Sequence, residues 1–150
     1  MGISAKQYQS RLSKMLNRSS LKDLANEIIL SDQAKLKTEK INEFEQGLRP
    51  DGGIIGKYQS EDYMLFKYHI NPRAKGYVDL MLTHSFTNKM FVIPYGDGYL
   101  FDSNDSKTGS LVGKYGGDIM GINQDWFDIR QRDVYRLTYV FNIKRICNIA

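Results

Sequence analysis

One cysteine, two histidines and no long apolar run define what this 150-residue sequence does without. The lone thiol, Cys147, has no partner for an internal disulfide, so the expected fold owes nothing to an oxidising compartment. No histidine stands near it in sequence to activate it. A membrane-spanning helix needs roughly 18 consecutive apolar residues, and no stretch approaches that length. Met1–Leu16 alternates polar and apolar residues and is not expected to be a secretory signal. Met1-Gly2-Ile3-Ser4 opens like a myristoylation signal, but Lys6 stands where Ser or Thr is wanted.

The motifs that carry chemistry are also missing. His69 and His84 have no second ligand at helical spacing, which argues against zinc. There is no Gly-x-Ser-x-Gly elbow for a nucleophilic serine. Two Gly-Lys-Tyr triplets, Gly56-Lys57-Tyr58 and Gly113-Lys114-Tyr115, place Lys after Gly. Each lacks the following Ser or Thr, and the preceding glycine, of a phosphate loop. Asp102, Asn104 and Ser106 alternate like the start of a calcium loop, but Lys107 and Gly113 occupy the positions that need Gly and Glu, so a polar turn is expected. His84 with Asp79 is the best acid–base pair on offer, and nothing completes it. No catalytic residue, cofactor or metal is expected, and the chain is read as a protein other than an enzyme.

What is present is an ordinary globular composition, 41% hydrophobic and 25% charged, in a length suited to a single domain over 1–150. The 10 Tyr and 7 Phe suit either a mixed core or protein interfaces. The formal charge is +4, and Lys6, Arg11, Lys14, Arg18 and Lys22 open the chain without an acid among them. A solvated helix face is the commoner origin of such a stretch, and contact with DNA or an acidic partner through Lys6, Arg11, Lys14 and Arg18 is the functional alternative. No dense basic run with interleaved aromatics supports dedicated nucleic-acid binding.

Periodicity predicts an α+β fold: N-terminal helices including one long one, a small antiparallel sheet with a hairpin, and a C-terminal helix. A short helix is expected over about Ser4–Leu16. Ser20 and Asp23 resemble a capping box for a second helix, whose stripe runs through Leu21, Leu24, Ala25, Ile28, Ile29, Asp32, Leu36, Ile41 and Phe44. Lys22, Lys35, Lys37, Glu39, Lys40 and Glu43 fall on its opposite, solvent face, and Gly47 closes it. At 1.5 Å per residue such a helix would reach roughly 40 Å, long for a domain of this size. Arg49-Pro50-Asp51-Gly52-Gly53 is turn chemistry. Ile54–Tyr58 reads as extended, Ser60–Tyr68 as a helix capped by Ser60, and Asn71–Gly76 as an exposed loop. Tyr77–Leu82, Lys89–Tyr95 and Tyr99–Ser103 read as extended, the last two joined through Gly96-Asp97-Gly98. Ser106–Tyr115 reads as a helix closed by Gly116-Gly117. From Asp125 onward helix and strand patterns both fit, and the length without a turn signal favours helix. The helical part thus covers about 3–48 and the α/β part about 54–150.

The run from Glu45 to Tyr58, with Gly47, Asp51, Gly52, Gly56 and Tyr58, resembles small structural proteins of tailed bacteriophages. Val78–Phe86, with Thr83 and Phe86, resembles that family's leucine–threonine–glycine–x–phenylalanine stretch. Asp102–Gly121, with Asp105, Lys107, Tyr115 and Gly116, is similar to its serine–x–aspartate–x–lysine–threonine and tyrosine–glycine stretch. The match runs over about Glu45–Ile122. Two positions depart from it: His84 stands where Gly is usual, and Arg49 where an acid is usual. A glycine there would serve a positive φ, which His also adopts at modest cost.

The resemblance implies a virion protein assembled in the host cytoplasm, a ring-forming neck, head–tail connector or tail-completion subunit joining portal to tail. Its implied partners are further copies of itself, the portal and other neck or tail proteins, and DNA in the channel, without a membrane. Ring contacts are expected from the long helix and from the hairpin around Gly96–Gly98. The other class kept open is a nucleic-acid-binding accessory protein of a phage.

Overall fold

Apolar residues at helical spacing produce helix on both sides of Asp32, but not through it. In the computed structural model, which describes residues 6, 7, 9, 10, 13, 17–95 and 98–147, α1 spans Arg18–Ser31 and α2 spans Gln33–Glu45. The expected single long helix is therefore two. The reason is local. Ser31 Oγ donates to Ile28 O at 2.7 Å, taking the carbonyl that the Asp32 N–H would use, and Asp32 N turns to Ile29 O at 3.1 Å. A hydroxyl that competes for the backbone in this way loosens the ladder. The start of α1 also differs from expectation. Leu21 N bonds Asn17 O at 3.2 Å, so Ser20 lies inside the first turn rather than capping it. Of the short N-terminal helix, residues 6, 7, 9, 10 and 13 are helical, and the rest lies outside the described residues.

After α2 come α3 (Glu61–Ile70), a 3₁₀ turn (Pro72–Ala74), the short α4 (Ser85–Asn88) and the hairpin β1 (Met90–Tyr95) and β2 (Gly98–Ser103). Then follow α5 (Thr108–Tyr115), a second 3₁₀ turn (Gly117–Met120), α6 (Gln124–Arg130), a π-helical turn (Gln131–Tyr135) and α7 (Arg136–Cys147). The class is α+β and mostly helical. β1 and β2 pair antiparallel from Met90↔Ser103 to Tyr95↔Gly98, while Gly96 and Asp97, the centre of the expected turn, lie outside the described residues. The ambiguous C-terminal segment is helix. Tyr77–Leu82 is not a strand. Only Tyr77 pairs, with Lys57, and the chain then turns with Leu80 at φ 55°.

The chain divides into two compact units, one from the described residues of 1–32 and 128–150, the other from 33–127. The division falls at Asp32 and Asp128, not between 48 and 54, so α2 belongs with the sheet. In the first unit α1 packs against α7, with Ile28, Ile29, Tyr135 and Cys147 buried. Asp32, at the end of α1, accepts from Arg130 Nε and from the Tyr135 hydroxyl, both at 2.7 Å, and from a second Arg130 nitrogen.

In the second unit α2 lies on β1, and Leu36, Phe44, Phe86, Val92, Phe101 and Ile119 form the centre of its core. Lys40 and Glu43, expected on the solvent face, are buried here instead. They satisfy each other. Lys40 Nζ donates to Glu43 Oε2 at 2.7 Å and sits 4.4 Å above the Phe44 ring, and Glu43 Oε1 accepts from Asn123 N at 2.6 Å. Burial pushes the Lys40 ammonium below its ordinary pKa, and the charge of Glu43 opposes that shift.

Gly47 (φ 69°) closes α2 in a Schellman arrangement. Its N bonds Phe44 O, and Leu48 N bonds Glu43 O, both at 2.9 Å. Ser60 caps α3 by accepting from Tyr63 N at 3.3 Å.

Candidate functional site

The residues that the sequence scatters between Lys57 and Tyr115 converge on one cleft of the second unit, with a volume of ≈ 420 Å³. Its floor is built by the turn after Tyr77. There Asp79, 1% exposed, accepts from Tyr58 Oη at 3.2 Å, Asn71 Nδ2 at 2.9 Å and Met81 N at 3.1 Å. Lys67 reaches it from α3. Its Nζ lies 2.8 Å from Asp79 Oδ1 as an ion pair, yet no oxygen among the described residues takes one of its N–H groups in hydrogen-bond geometry. Lys67 is 2% exposed. Burial alone would push the Asp79 carboxyl up, but Lys67, Asn71 and the Met81 amide together hold it below the ordinary carboxylate range. Burial first, and then the charge of Asp79, pushes the Tyr58 phenol up.

The opposite wall comes from the turn into α5. Asp105 accepts from the Ser85 hydroxyl, from Lys107 N at 2.9 Å and from Lys89 Nζ at 3.4 Å, and these bonds, the Ser85 one foremost, hold its carboxyl low. Ser103 ties this wall to α4, donating to Phe86 O at 2.8 Å and accepting from Asp105 N at 3.2 Å. The half calcium loop is thus a self-satisfied polar turn. Among the described residues no three His, Cys, Asp or Glu side chains gather as a metal set.

Arg49 fixes the third side. Its guanidinium donates to Ile54 O at 3.2 Å, to Tyr115 O at 2.7 Å and to Asp118 at 2.5 Å, locking the 49–55 turn to the end of α5. This is the position where the resemblance over Glu45–Ile122 implies an acid. Gly56 packs against the Tyr115 ring, where an added Cβ would come within 3.3 Å.

The chain matches no known protein family, no curated protein and no solved structure.

Of the positions singled out by resemblance, Tyr58, Thr83, Phe86, Asp105, Lys107 and Tyr115 line the cleft. Gly47, Asp51, Gly52 and Gly116 shape the turns behind it. Asp51 Oδ1 accepts from Gly53 N at 2.8 Å, and Gly52 and Gly116 hold φ of 81° and 91°. His84 takes φ 55°, the conformation that a glycine would favour there. It is exposed and is not among the partners of Asp79. Lys6 is exposed on a helical turn. Arg18 opens α1, with its side chain outside the description, and Arg11 and Lys14 lie outside the described residues.

Sequence reasoning missed Lys67, whose place on an apparently amphipathic helix gave no sign of burial. The two Gly-Lys-Tyr triplets, read together, fail the phosphate-loop pattern. Both reach the cleft, through Lys57 and Tyr58 and through Lys114 and Tyr115.

Proposed function

We propose that the protein is an assembly subunit of a tailed-bacteriophage particle, a ring-forming neck, head–tail connector or tail-completion component that joins portal to tail. The observation that carries this reading is an apolar row left in solvent on α7: Leu137 and Phe141, each 65% exposed, with Val140 between them. Residues at i, i+3 and i+4 share one helix face, and an uncovered apolar face of this kind marks a surface that meets another protein. The outer face of the hairpin adds to it. Ile93 and Leu100 sit directly opposite each other in register, and both are exposed, as is Tyr95. Two different patches on one chain suit the heterologous contacts of a closed ring. The resemblance over Glu45–Ile122 supplies the phage context.

Light scattering on the purified chain, alone and with the matching portal or particle fraction, tests this. A discrete ring, or a monomer that becomes a ring on the portal, supports the reading, and a strict monomer indifferent to virion components overturns it. The second reading, a nucleic-acid accessory protein, is favoured by the basic opening and a sequence pI ≈ 9.1, and predicts DNA binding that weakens steeply with added salt.

A further inference from the structure

The cleft of the second unit is lined by four lysines and two aspartates, a formal excess of two positive charges. Both aspartates are saturated by protein donors, as the partners of Asp79 and Asp105 show. Three of the cations are not: Lys57, Lys107 and Lys114 stand exposed on the walls, while the buried Lys67 is ion-paired with Asp79 at 2.8 Å and has no further acceptor among the described residues. Most of the remaining lining is apolar or aromatic, including Tyr63, Leu80, Leu82, Leu111 and Tyr115, with Gln59, Ser60, Thr83 and Ser85 adding neutral polar groups. The volume lies within the range of small-molecule sites, roughly 300–1,000 Å³.

Leu80 and His84, at either end of the segment that forms one wall, both hold φ 55°. A bulky apolar residue such as Leu enters that region only when its surroundings force it, and such strain collects where a ligand is held. Arg is absent from the lining, and Arg is the side chain whose planar fork best matches a carboxylate. Several point-charge ammonium groups suit instead a compact anion of charge near −2. A phosphate monoester carries about −1.5 to −2 at neutral pH.

We propose that this cleft binds a phosphate monoester with an aromatic or apolar body, its phosphate among Lys57, Lys67, Lys107 and Lys114 and its body against the tyrosine and leucine side chains. Because the cleft has no glycine-rich backbone cradle, recognition rests on side-chain charge.

Titration calorimetry on the full chain with phenyl phosphate should give one site with Kd below about 1 mM. Phenyl sulfate, a monoanion of the same shape, should bind at least about tenfold more weakly, as should inorganic phosphate, which lacks the body. Lys57→Gln, Lys107→Gln and Lys114→Gln, on exposed side chains, should each weaken phenyl phosphate roughly three- to five-fold with unchanged thermal melting. Lys67 is left intact because its removal strips Asp79 of a partner. Competition by a nucleoside 5′-monophosphate or by a 5′-phosphorylated oligonucleotide then tells a free ester from a strand end. Equal binding of phenyl sulfate, no binding of phenyl phosphate, or an unchanged Kd in the Lys107→Gln/Lys114→Gln double variant would overturn the proposal.

Discussion

Two buried ammonium groups hold ion pairs in the second unit, Lys40 with Glu43 and Lys67 with Asp79. Removing one partner of a buried ion pair leaves the other charge uncompensated, at a cost of about 3–5 kcal/mol. Lys40→Met should therefore lower unfolding free energy in urea by about that much, since among the described residues Glu43 then keeps the Asn123 amide alone. A loss under about 1 kcal/mol would mean that the pair is replaceable. Asp79 predicts a pH effect. Its folded carboxyl titrates below the unfolded value of ~3.9, so its ionised form stabilises the fold fully above about pH 4, and that contribution is lost as the pH falls through the folded value. The Asp79→Asn chain should be less stable at pH 7, and its urea midpoint should change less between about pH 4 and pH 2 than that of the parent. Parallel curves would show that Asp79 is not the group responsible.

At the level of elements, what could be read from the sequence was what short-range chemistry decides. The Ser60 cap, the Gly47 stop, the Asp51–Gly53 turn, the hairpin and the close of α5 at Gly116 follow from local donors, acceptors and φ preferences. The break at Asp32 was hidden because Ser31 and Asp32 are tolerated within helices, and only the competing Ser31 hydroxyl decides the matter. Tyr77–Leu82 looked extended because it is a short apolar run interrupted only by Asp79, but the demands of the buried Asp79 turn prevail. The cleft itself was legible only in part. Its aromatic and Asp105 positions came through resemblance, whereas Lys67 is buried by tertiary packing that no periodicity encodes. Gly47→Ala should cost about 1–2 kcal/mol by urea titration, because its φ is left-handed and an added Cβ would meet Val78 O at 3.2 Å. Asp32→Ala should remove the Arg130 and Tyr135 anchors and cost about 1.5–3 kcal/mol. An unchanged melting curve would show these bonds to be incidental.

At the scale of the whole molecule, assembly and stability should separate. Phe141→Asp changes an exposed side chain, so folding free energy should stay within about 0.5 kcal/mol. Ring formation, or recruitment to the portal, should nonetheless be lost in light scattering. Retained assembly would move the interface away from α7. The cleft variants are expected to behave in the opposite way, with ligand binding weakened and oligomeric mass kept.

The first unit is built from two stretches that lie on either side of the second in the chain. During synthesis α1 leaves the ribosome early but has no α7 to pack against until all of 33–127 has been translated. Domains fold as they emerge, so the cleft-bearing unit is complete while α1 still waits for α7. A chain stopped before α7 should then hold a finished cleft but lack the apolar row of Leu137, Val140 and Phe141, with Ile28 and Ile29 of α1 still uncovered.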